Sequence, residues 1–244
     1  MPVEPFPGTR PLPTDTLGCY PLDERRWFKA TYTTSSSPSA YEAHALVCLY
    51  ESRFAETLPK LRRAAILDAG PCTLLELGVA YDGLLRRQEA DETWNRARRK
   101  ASQDGPFTLG LESPLLDGDS ARVLSILQEK MQSKYFANGV YQTLTGPDRD
   151  IAGQFDLALK SAGTGYPEEG ARTITSLYEE GFHDNGAIRY ARAVMLLSLK
   201  REPEAISELR LAAILANTGV GDRCVPNVYQ WSAVYILEHL PKYQ

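Results

Sequence analysis

No apolar run in this chain approaches the roughly 18–20 residues that a membrane span needs, so no membrane-spanning helix is expected. The opening stretch "MPVEPFPGTRPLPTDTLG" lacks the charged-then-apolar order of a secretory signal, and a cytoplasmic location is expected. Histidine is scarce. His44, His183 and His239 are the only three, and they form no HExxH pair. GxSxG and GxxxxGK[ST] are missing too, which leaves no sequence sign of a zinc protease, a nucleophile elbow or a phosphate loop. The four cysteines, Cys19, Cys48, Cys72 and Cys224, never fall at CxxC spacing, which speaks against a zinc ribbon or a thioredoxin-like motif. Cys48 and Cys72 sit in helical patterns and read as small buried hydrophobes; a disulfide is allowed, but a chain of this size does not need one. Positive charge is not in excess: 27 Lys and Arg face 31 Asp and Glu, a net charge of -4. A general nucleic-acid binder would be clearly basic. No catalytic set, metal or cofactor is expected from these residues, and the expected partner is neither nucleic acid nor membrane.

What is present suits a globular protein. The 244 residues are 43% apolar and 24% charged, enough to bury a sizeable core. Residues 1–38 stand apart. Pro2, Pro5, Pro7, Pro11, Pro13 and Pro21 forbid regular helix, and "TYTTSSSPS" closes the segment with loop chemistry. Phe6, Leu12, Leu17, Tyr20, Trp27 and Phe28 would each contribute roughly 1.5–3 kcal/mol if buried, which points to an extended arm packed on the rest.

From Ser39 the pattern turns helical, and no alternating strand competes with it. "SAYEAHALVCLYESR" carries a serine cap and an apolar stripe; "FAETLPKLRRAAILDAG" follows and stops at Gly70, with Pro71 opening the next helix. Further helices are expected at 71–85, 88–101, 119–137, 149–162, 167–180, 186–200, 203–216 and 226–239. The organisation reads as an arm (1–38), helix pairs (39–101), an irregular connection with one helix (102–148) and a second set of helix pairs (149–244).

One stretch carries a repeat signature. Leu74, Leu77, Gly78 and Tyr81, then Ala90 and Trp94, follow the spacing W-x2-L-G-x2-Y…A-x3-F, with Leu for the first Trp and Trp for the Phe. A shift of 33 residues places Ala45 on Gly78, Leu61 near Trp94 and Ala64 near Ala97. A shift of 148 lays "RFAETLPKLRRAAIL" on "REPEAISELRLAAIL", with Arg53, Glu56, Leu61, Arg62 and the run Ala64–Leu67 matched identically. The chain therefore resembles tetratricopeptide-repeat proteins. That resemblance implies an all-α fold of helix-turn-helix pairs stacked as a short, irregular α-solenoid. The segments 102–118 and 138–148 do not fit the repeat.

The resemblance also implies a function: a non-catalytic scaffold or adaptor that binds an apolar peptide or helix of another protein in a concave groove. Carried over position by position, the groove holds Ser39, Glu42, Leu46 and Leu49, then Cys72, Leu75, Val79 and Asp82, then Ala187, Tyr190, Val194 and Leu197. A patch this apolar is usually covered, either by the chain itself or by a partner. The Lys, Asn and Arg with which relatives clamp a peptide carboxylate are missing at these positions. A second feature is basic: Arg86, Arg87, Arg96, Arg98, Arg99 and Lys100 cluster across a turn and helix, interleaved with Glu89, Asp91 and Glu92. Homo-oligomerisation through an uncapped end of the stack fits the same architecture. The alternative is a helical enzyme or small-ligand carrier with an apolar, aromatic-lined pocket.

Overall fold

The computed structural model describes residues 38–68, 70–101, 110, 112–117, 122, 125–126, 166–177, 186–215, 226 and 228–240. The described residues form helices and turns with no strand. They are α1 (Pro38–Tyr50), α2 (Phe54–Leu67), α3 (Pro71–Gly83), α4 (Arg87–Ala101), the single-turn α5 (Glu112–Leu116), α6 (Pro167–Leu177), α7 (Gly186–Ser198), α8 (Glu202–Ile214) and α9 (Val228–His239). Residues 1–37 of the Pro-rich arm, nearly all of 119–137 and all of 149–162 lie outside the described residues, and Pro38, the last residue assigned to the arm, opens α1.

Local chemistry explains where the helices begin. Gly70 is extended and Pro71 takes the first helical position of α3, where the amide hydrogen that proline lacks would have no partner anyway. Apolar and small residues cover every side of α3, and Cys72 through Asp82 are all buried. α4 has the opposite pattern. Only Ala90, Thr93, Trp94 and Ala97 are buried, one face at helical spacing, and the remainder is charged or polar.

Three helix pairs close with the same turn. At the end of α1, Ser52 N donates to Leu49 O and Arg53 N to Cys48 O, at 2.9 and 2.8 Å. After α3, Leu85 N donates to Asp82 O and Arg86 N to Tyr81 O, both at 2.9 Å. After α7, Lys200 N donates to Leu197 O and Arg201 N to Leu196 O, at 3.0 and 2.8 Å. Each is a Schellman cap, and the residue past the helix is left-handed: Ser52 at φ 58, Leu85 at φ 59, Lys200 at φ 61. The next residue is an arginine each time, and it binds a glutamate in the first turn of the following helix: Arg53–Glu56, Arg86–Glu89 and Arg201–Glu204. Those glutamates also sit where the positive end of the helix dipole favours them.

The interior repeats as the turns do. Ala45, Gly78 and Ala193 are equivalent small positions, and all are buried. Leu61, Trp94 and Leu209 are fully buried, as are Ala64, Ala97 and Ala212. The glycine is required by its neighbour: a Cβ at Gly78 would overlap the Trp94 indole. Trp94 Nε1 donates to Leu75 O at 3.1 Å, so the buried indole keeps its hydrogen bond.

The N-terminal and C-terminal helix pairs share one hydrophobic core. α8 packs against α3 and α1 as well as against its neighbours α7 and α9. Arg210 on α8 donates to Asp82 through Nε at 2.9 Å and to the Asp82 carbonyl through Nη2 at 3.2 Å. α4 and α9 meet through Arg98, which grips both oxygens of Glu238, and through Arg87 Nη1, 2.7 Å from Leu237 O.

The reading of Cys72 as a simple buried hydrophobe is corrected. Cys72 is disulfide-bonded, whereas Cys48 is buried and outside any disulfide. Cys19 and Cys224 lie outside the described residues.

Candidate functional site

The apolar face expected to line a groove is interior. Leu46, Leu49, Leu75, Val79, Asp82, Tyr190 and Val194 are buried, and Glu42 and Leu197 are half-buried. Among the described residues α8 of the same chain packs against α1 and α3, as α2 does. Asp82 illustrates the change of role. Its side chain is 2% exposed and is held by Arg210, with Arg87 Nη1 at 3.8 Å from its other oxygen. Tyr190 is likewise internal: its hydroxyl donates to Glu112 Oε1 at 3.4 Å, and burial, with Glu112 adding to it, pushes its ionisation well above the usual phenol range.

The basic cluster divides. Arg86 pairs with Glu89, Arg87 with Asp91 and Leu237 O, and Arg98 with Glu238. These three hold the fold together rather than presenting charge. Arg96, Arg99 and Lys100 are exposed on the outer side of α4. One repeat earlier, Arg63 is exposed at the place on α2 that Arg96 takes on α4, and Ile66, 75% exposed, stands at the place of Arg99. The two second helices thus both expose positive charge, and α2 also exposes an apolar residue.

A carboxyl pair, Glu42 half-buried and Glu76 buried, lies between α1 and α3. Thr73 Oγ1 donates to Glu42 Oε1. Glu76, 7% exposed, has no hydrogen-bond partner for Oε2. Burial drives the Glu76 carboxyl well above the ordinary carboxylate range, and the nearby Glu42 charge raises it further. Glu42 is raised too, first by burial and then by Asp68, against the opposing hydrogen bond from Thr73. The resemblance assigns Glu42 to the groove and passes over Glu76. No group of three or more His, Cys, Asp or Glu that could hold a metal ion occurs among the described residues.

One open cleft is bounded by α6 and α7. It has a volume of about 500 Å³ and is lined by Arg172, Thr175, Ser176, Arg192 and Arg201 with Leu196 beneath. Sequence reasoning did not pick it out, because its residues come from two helices and the turn after α7. His44 is buried, and His239 is exposed, its Nδ1 2.8 Å from Tyr235 O. His183 lies outside the described residues.

No family model, curated protein or solved structure matches this chain. Among the described residues no helix is long and apolar enough to cross a membrane.

Proposed function

We propose that the chain is a tetratricopeptide-like interaction module, a non-catalytic scaffold for a protein partner. The observation that carries this reading is the recurrence of one unit. Three helix pairs share a Schellman turn, an Arg–Glu bridge across it and the same buried small positions. Stacked units of this kind gain stability from their neighbours and leave extended surfaces for binding.

The surface that fits a partner is the outer face of α2 and α4. Arg63 and Ile66 are exposed one turn apart on α2, and Arg96, Arg99 and Lys100 are exposed on α4, a combination that suits an acidic segment with an apolar anchor. The inner positions Leu46, Leu49, Leu75 and Val79 serve this reading by holding the helix pairs in place. The Cys72 disulfide favours an oxidising compartment over the cytoplasm, since structural disulfides persist where thiols are not kept reduced.

Cross-linking and affinity purification from the native host test the reading, comparing wild type with Arg63→Glu/Arg96→Glu/Arg99→Glu. Loss of one stoichiometric protein from the variant, with an unchanged melting temperature, is the expected outcome. Equal recovery of every protein by both would remove this face as the docking surface.

A further inference from the structure

The cleft between α6 and α7 has a composition that an outer docking face does not explain. Residues Glu168, Ala171, Arg172, Thr175 and Ser176 of α6 line it at helical spacing, so one face of that helix looks into it. Arg192, Leu196 and Leu199 face it from the α7 side, and Arg201 closes one edge. Three guanidiniums therefore meet one lining carboxylate, Glu168.

The three arginines are held differently. Arg192 is anchored, with Nη1 2.7 Å from Glu208 Oε1, and Glu208 also receives the buried Arg189 at 2.8 Å. Arg201 is clamped by Glu204 through Nε and Nη2, at 2.7 and 2.6 Å. Both are thus held by a carboxylate. Arg172 is exposed and makes no ion pair or hydrogen bond with any described residue, its helix neighbour Glu168 included. The hydroxyls of Thr175 and Ser176 lie one turn further along the same face. Leu196, buried, and Leu199, half-buried, supply an apolar floor.

We infer that this cleft binds a small organic anion. Arg172, steered by the fixed Arg192 and Arg201, takes the anionic oxygens, and Thr175 adds a neutral donor. Guanidinium forks match the geometry of carboxylate and phosphate oxygens, and both groups share the chemistry recognised here. The apolar body of the molecule rests on Leu196 and Leu199. The cleft volume of about 500 Å³ lies in the range of small-molecule sites, which separates this proposal from the protein-docking face.

Calorimetric titration of the full chain at constant ionic strength tests it, with phenyl phosphate, benzoate and inorganic phosphate as probes. Saturable binding of at least one aromatic anion is expected, tighter than that of inorganic phosphate. Whichever of phenyl phosphate and benzoate binds more tightly identifies the anionic group. Arg172→Gln should weaken that binding about tenfold, the size of one lost charge-assisted hydrogen bond, and leave the unliganded melting temperature unchanged. Arg99→Gln removes the same charge from α4 and should leave the affinity unaltered. The proposal is overturned by heats that never saturate, by equal weakening in Arg172→Gln and Arg99→Gln, or by inorganic phosphate binding as tightly as phenyl phosphate.

Discussion

Glu76 sits in "PCTLLELGVAYDG", the least polar helix of the N-terminal half, with its carboxyl turned into the protein and one oxygen without a partner. Its protonation therefore governs part of the stability. A carboxyl raised in the folded state keeps its proton while the unfolded chain, titrating near 4.5, gives it up. Stability is thus unaffected below that value and falls as pH rises above it, until the folded carboxyl itself ionises. Glu76→Gln keeps the shape and cannot ionise. Urea denaturation should find the variant more stable than wild type at about pH 7 and equal to it at about pH 4. A variant less stable at both pH values would mean that the carboxylate has a stabilising partner. The sequence does reveal that α3 is a core helix, because small and apolar residues surround it. It does not reveal that Glu76 is the carboxylate left inside, since the proximity of Glu42 depends on how α1 crosses α3.

At the scale of the element, the helix positions were largely legible and their turns were not. The Gly70–Pro71 stop is local chemistry, and the period of "RQEADETWNRARRKA" announces which face of α4 is buried. The turns lack the usual glycine signal: Ser52, Leu85 and Lys200 take the left-handed conformation instead. The readable marker is the Arg-x-x-Glu that follows. It repeats identically at 53 and 56 and at 201 and 204, whereas at Arg86 it is masked by basic neighbours that read as a surface patch. Leu85 is 81% exposed, so its side chain contributes little packing to offset the backbone strain. Leu85→Gly should therefore stabilise by about 0.5 kcal/mol, the relief of strain less the extra freedom of glycine in the unfolded chain. Chemical denaturation with an unchanged slope is the check. A clear loss of stability would show that Leu85 packs against something outside the described residues.

For the whole molecule, the decisive contact joins residues 128 positions apart: Arg210 of α8 on Asp82 of α3. The residues around Asp82 in sequence set its helix. They could not name its counterion, because that depends on how the C-terminal pair folds back on the N-terminal one. Removing one partner of a buried ion pair is more harmful than removing both. Arg210→Ala should cost about 3 kcal/mol, with Arg87 as the remaining cation near Asp82, and an Asp82→Leu/Arg210→Met pair should recover much of it. The double-mutant cycle is the measurement; additive losses would deny any coupling between the two side chains.

The seating of α8 has a consequence for synthesis. A ribosome adds roughly 5–20 residues per second, so on the order of 10 s separates the emergence of Asp82 from that of Arg210. During that interval the face of α1 and α3 has no α8 to cover it. A nascent chain of this protein carries an adhesive surface that the finished one hides, and a pause in translation before α8 would prolong its exposure to chaperones and to other nascent chains.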